Sequence, residues 1–177
     1  MTWRPEEFDE LAQELRRRVA AEFRTEAEEV ERLVHLQRRR NFHLRDIANA
    51  AMHQGRGVTV RSLGGEWSGE VLAVGTDYLS VGTATQLLDA SLDSIAIGLT
   101  PARQGGRTAK PASDTFRARL TEFEMSGSLV TLLSRIPVIE VTGIIEVVAT
   151  DHIEVRCPER TFLPIDGVFA AIRSLPE

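Results

Sequence analysis

Apolar residues recur at steps of three and four through the first forty positions: Phe8, Leu11, Leu15, Val19, Phe23, Ala27, Val30 and Val34. That period draws one stripe along an α-helix. Pro5 suits a first helical turn, and Glu6, Glu7, Asp9 and Glu10 sit where anions favour the positive end of the helix dipole. Arg38, Arg39 and Arg40 sit where cations favour the other end. A continuous helix over 5–40 would be about 54 Å long. Thr25 followed by Glu28 could open a second helix as a capping box. The stripe continues in phase through Thr25, which favours one helix. A shorter helix is predicted over 44–53, with Leu44, Ile47, Ala48, Ala51 and Met52 on one face. Gly55 stands just beyond its end, where a C-terminal cap belongs.

Past Gly55 the period changes from about 3.6 to 2. Five strands are predicted over 57–63, 66–74, 78–81, 85–88 and 92–98. Gly64-Gly65 marks a tight turn. Gly69, inside the longest strand, marks a bend or bulge. Residues 99–113 carry Pro101, Gly105, Gly106 and Pro111 and read as linker. Ser113 can cap a helix reaching about Met125, with Phe116, Leu120 and Phe123 on its inner side. Five more strands follow over 129–134, 139–148, 152–157, 160–164 and 167–172.

The second half echoes the first. Residues 75–81 read GTDYLSV and 149–155 read ATDHIEV, and Gly69 matches Gly143 at the same offset. Val58-Thr59-Val60 matches Val130-Thr131-Leu132, and Leu92-Asp93-Ser94-Ile95 matches Ile165-Asp166-Gly167-Val168. Such self-similarity decides architecture first. The expected layout is an N-terminal amphipathic helix over 1–43, a helix-plus-strands unit over 44–99, a linker over 100–112, and a second unit over 113–177. A unit of this size is marginal alone, so the two are expected to pack on each other.

Both units together resemble the Sm/LSm small β-barrel. The residues carrying the resemblance are Val58, Val60, Gly69, Val71, Asp77, Leu79, Val81 and Ile95, then Val130, Leu132, Gly143, Ile145, Asp151, Ile153, Val155 and Val168. SH3-like and PRC-type barrels give similar strands. The layout also resembles uncharacterised proteins of high-GC bacteria, and Lys110 is the one lysine among 21 basic residues. The fold class implied is α+β, mostly β: two tandem five-stranded barrels, each behind a short helix, after the long one. Open barrels expose strand edges that proteins pair or cover. The fourth strand of one unit is therefore expected beside the fifth of the other.

Charge then narrows the function classes. The net charge is −5. Both strand-rich units are acidic, and only residues 100–119 are basic. Phosphate neutralisation needs clustered Lys and Arg. The Sm resemblance would imply single-stranded RNA binding through an Asp or Asn and a basic loop. Here the first such loop, 82–86, reads GTATQ, with no basic or aromatic residue; the second, 156–160, reads RCPER. Candidate phosphate contacts are Arg103, Arg107 and Lys110 in the linker, with Arg156 and Arg160. No aromatic lies beside that last pair to stack a base.

Enzyme chemistry finds no pattern to attach to. His35, His43, His53 and His152 lack metal-ligand spacing with one another or with Cys157. A single cysteine forms no disulfide within the chain. No P-loop, dinucleotide fingerprint or nucleophile elbow is present. Asp77 and Asp151 are expected to be turn residues bonding their own backbone. No catalytic residue, metal or cofactor is expected. A signal core and a membrane-length apolar run are both lacking, and a cytoplasmic protein is expected. The reading that remains is a non-enzymatic interaction or assembly module, with single-stranded RNA binding as the alternative. The helical stripe of Phe8, Leu11, Leu15, Val19, Phe23 and Val30 exceeds what one small barrel can cover, so a homodimer through it is expected.

Overall fold

The computed structural model describes residues 5–102, 105, 106, 109, 111 and 113–175, apart from the side chains of residues 5–12, 25 and 102. The chain divides into two compact units, Met1–Phe42 and His43–Glu177.

The first unit is one helix, α1 (Pro5–Arg40), 36 residues without a break at Thr25. Nothing in that stretch forces an interruption: it holds no internal proline or glycine, and residues of good helix propensity fill it.

The second unit is α+β and mostly β. Helix α2 (Leu44–Gln54) leads into β1 (Arg56–Ser62), β2 (Gly65–Val74), β3 (Tyr78–Gly82), β4 (Gln86–Ser91) and β5 (Ala96–Ala102). Helix α3 (Phe116–Ser126) leads into β6 (Leu129–Arg135), β7 (Val138–Val148), β8 (His152–Arg156), β9 (Arg160–Pro164) and β10 (Val168–Ser174). Both helices end on a left-handed glycine, Gly55 at φ 62° and Gly127 at φ 59°, a backbone region that costs other residues about 1–2 kcal/mol.

The ten strands form one antiparallel sheet in the order β5-β1-β2-β3-β4-β10-β6-β7-β8-β9. In place of two separate five-stranded barrels, the strands join into one sheet that is not closed: β4 pairs with β10 across the halves, from Ala90↔Ala170 to Gln86↔Ser174. The expected neighbourhood of a fourth and a fifth strand is thus observed, as a continuous ladder. It leaves β5 and β9 as the two edges.

Three boundaries differ from expectation, each for a local reason. The fifth strands begin late because a 3₁₀ turn precedes each, Leu92–Ser94 and Ile165–Gly167. Both turns are pinned by one backbone bond: Leu92 N–H donates to Asp77 O at 2.8 Å, and Ile165 N–H to Asp151 O at 2.9 Å. Helix α3 is capped by Thr115, whose side chain accepts from Ala118 N–H at 3.2 Å. Ser113 does not cap it, because its hydroxyl is turned to the Glu122 carboxylate. Strand β5 runs on to Ala102, three residues into the linker expected over 100–112.

The bend expected at Gly69 and Gly143 has a steric cause. A methyl group at Gly69 would strike the carbonyl of Gly82 on β3, and one at Gly143 would lie 2.5 Å from Arg156 O on β8. A bulge follows in each strand, between Val71 and Ala73 and between Ile145 and Val147. The close approach lets the long strand curl over the core, as bulged strands do.

Each half buries its own core, but each core borrows from the other half. Ala48, Ala51, Val58, Val60, Leu79 and Leu88 pack with Leu133, Phe169 and Ala170 of the second half. Phe116, Leu120, Phe123, Leu132, Ile145 and Ile153 pack with Tyr78 of the first. The shared side chains give the β4–β10 ladder a hydrophobic base. Burial of such side chains is worth about 1.5–3 kcal/mol each.

Candidate functional site

The most elaborate polar arrangement lies where the two halves meet. On one face of β3 and β4, Tyr78, Ser80, Leu87 and Asp89 are all covered, and Asp89 is fully buried. Helix α3 supplies the cover. Arg119 Nε donates to Asp89 Oδ2 at 3.1 Å, and its Nη1 donates to Glu122. Ser80 Oγ donates to the other Asp89 oxygen, and Ser113 Oγ to Glu122. The Arg119 guanidinium also lies 4.7 Å from the Phe123 ring centroid, a cation–π distance. Tyr78 Oη donates to Ser113 O at 3.0 Å, and its ring tilts against Phe116. A buried charge survives only when paired and hydrogen-bonded, and here both conditions hold.

Burial pushes the Asp89 carboxyl above the usual range, against the opposing pull of Arg119 and Ser80. Burial, with the Asp89 charge nearby, pushes the Tyr78 phenol up to about 12. Glu122 moves the other way: its partial burial is outweighed by the bonds from Ser113 and Arg119.

Beside this network an open cleft of about 380 Å³ separates the halves. Most of its polar lining is engaged. Asp77 Oδ1 accepts from Phe116 N–H at 2.7 Å, so the turn aspartate does not bond its own loop as expected; it holds the first turn of α3, across the junction. Asp93 accepts from Ser91 and Ser94 at 2.7 Å each, and those hydroxyls hold its carboxyl below the ordinary range. Arg135 donates to Ser94 Oγ at 2.7 Å and approaches Asp93 at 3.8 Å. Arg117 donates to the carbonyls of Thr150 and Ala149. The cleft joins structural elements through bonds already made.

The candidate phosphate contacts fall into two sets. Arg103, Arg107 and Lys110 lie outside the described residues. Arg156 and Arg160 are brought directly opposite each other on β8 and β9, but both face acids. Each lies 3.0 Å from Glu146, and Arg160 is 3.7 Å from Glu154. Asp151, the counterpart of Asp77, has a carboxylate oxygen 2.7 Å from His152 Nδ1. Cys157 lies beside the carbonyls of Val155 and Glu159 and the Thr161 hydroxyl. Among the described residues, no group of three or more His, Cys, Asp or Glu is placed to hold a metal, and no helix is long and apolar enough to cross a membrane.

The helical stripe is placed differently. Every described side chain of α1 is exposed, including Leu15, Val19, Phe23 and Val30, with Phe23 at 66% and Val30 at 59%. Phe8 and Leu11 lie on the same helix, with side chains outside the described residues. Sequence reading missed Asp89, Arg119 and Glu122. One signal was available: Asp89 is a lone charge within Leu87-Leu88-Asp89-Ala90, an otherwise apolar strand. The chain matches no family model and no curated protein.

Proposed function

We propose that this protein is a non-enzymatic assembly module that associates with a second copy of itself through α1. The observation that carries this reading is the exposed apolar stripe on a 36-residue helix. Isolated helices gain little stability from propensity alone. An amphipathic face gains it by burial against a partner. Within the second unit, each half keeps the spatial order fifth, first, second, third, fourth strand. We read each as an Sm-like unit opened at one side to join its neighbour. The acids facing Arg156 and Arg160 leave that pair little charge to offer a phosphate.

Light scattering on the full chain tests the proposal. A dimer at micromolar concentration is expected, and Phe23→Glu with Val30→Glu should convert it to monomer. Burying such a side chain is worth about 1.5–3 kcal/mol, and two-fold symmetry counts each substitution twice. A monomeric wild type would refute the reading. Anisotropy of short single-stranded RNA, showing binding that falls steeply with salt, would replace it with the nucleic-acid alternative.

A further inference from the structure

The charges along α1 specify how two copies would meet. This inference rests on the self-association just proposed and adds its geometry. We infer that α1 pairs with α1 of a second chain in antiparallel orientation, with Phe23 at the two-fold centre.

The argument is one of self-complementarity. A two-fold contact places the same patch against itself, reversed. Turning α1 end for end about Phe23 sets Val19 against Ala27 and brings Leu15 within one residue of Val30, so the stripe meets the stripe. The same turn sets Arg17 and Arg18 against Glu29 and Glu28, with Arg16 one residue from Glu31. It sets Glu14 against Arg32, and Glu6 and Glu7 against Arg40 and Arg39. No basic block meets a basic block in that register, and no acidic block meets an acidic one.

A parallel pair in register does the opposite. It stacks Arg16–Arg18 on their own copies, Glu28 and Glu29 on theirs, and Arg38–Arg40 on theirs. Like charges across a contact select against the wrong arrangement more strongly than rim pairs stabilise the right one. The helix is unbroken across all these blocks, so their order along the axis is fixed. The described Arg and Glu side chains of α1 are exposed, and the ion pairs among them, Arg17–Glu14 and Arg18–Glu14, are exposed contacts of 3.8 and 3.4 Å. Those exposed pairs are worth little and are readily exchanged for partners on another helix.

Site-directed disulfide formation separates this geometry from dimerisation itself. In a Cys157→Ser background, Leu15→Cys and Val30→Cys are made as separate full-length chains, mixed, and oxidised. The antiparallel register puts position 15 within one residue, about 1.5 Å along the axis, of position 30 of the partner, while two copies of position 15 stand about 24 Å apart along the axis. A disulfide needs Cα atoms within about 7 Å. Mixed-chain disulfides in large excess over either same-chain product are expected. Same-chain disulfides predominating would overturn the antiparallel register while leaving dimerisation intact. A monomer by light scattering would overturn both. If a seam cysteine perturbs the helix, charge reversal gives an independent reading. Arg16, Arg17 and Arg18 changed to Glu should weaken the dimer at least tenfold at low salt. Adding Glu28, Glu29 and Glu31 changed to Arg should restore it. An unchanged dissociation constant in the first variant would overturn the register.

Discussion

Replacing Arg119 with Met tests the physical account of the junction most sharply. Met keeps most of the aliphatic stem and removes the charge. Asp89 would then be fully buried with the Ser80 hydroxyl as its hydrogen-bond donor and only the weaker Arg173 charge in place of Arg119. At the observed 3.1 Å, the lost attraction is roughly 5 kcal/mol for an effective dielectric of about 20. Breaking one side of a buried pair costs about 3–5 kcal/mol in practice. That is a large share of the 5–15 kcal/mol typical of a domain. Urea titration of the full chain, followed by circular dichroism, should show the midpoint falling with an unchanged slope. The sign of the pH dependence follows from the raised Asp89 carboxyl. The folded state takes up a proton at higher pH than the unfolded chain does, so stability falls as pH rises through the folded value. Loss of Arg119 moves that value further up. The penalty in Arg119→Met should therefore shrink as the buffer is made more acidic. The double substitution Asp89→Leu with Arg119→Met should recover most of the loss, because an apolar pair of similar volume needs no counter-charge. A single-variant cost below about 1 kcal/mol, or a penalty that does not shrink in acid, would refute the reasoning.

Other consequences are equally direct. Tyr78 is the one tyrosine, so ultraviolet titration of phenolate reads it alone; its midpoint should lie near 12 in the folded protein. A midpoint near the ordinary tyrosine value in protein that is still folded would contradict its burial. Because the folded value is raised, the stability tied to Tyr78 is lost as pH climbs toward it. Asp77→Ala should cost about 0.5–2 kcal/mol, as loss of a helix-start acceptor does, while Asp77→Asn keeps an acceptor for Phe116 N–H and should cost less. Gly69→Ala should lower the melting temperature through overpacking of about 1–3 kcal/mol, since the clash is with backbone of the neighbouring strand. An unchanged melting temperature would mean that β2 and β3 part easily there.

Much of this architecture is local and therefore readable from one chain. The stripe of α1, the left-handed Gly55, the bend at Gly69 and Gly143 and nearly every strand follow from periodicity and from residues that only certain backbones accept. The charge order of α1 is also written in the sequence, since a helix of fixed rise converts position into distance. What the tertiary structure decided is how the halves join. Whether β4 turns back to β5 or meets β10 is a competition between two ladders with the same backbone bonds, and local preference is silent on it. Asp77, Asp89, Ser113 and Arg119 looked like turn, strand, cap and helix residues. Only when the β4–β10 ladder brings α3 over β3 and β4 do they become one network. Burial then gives each charge a value that no position in the sequence carries by itself.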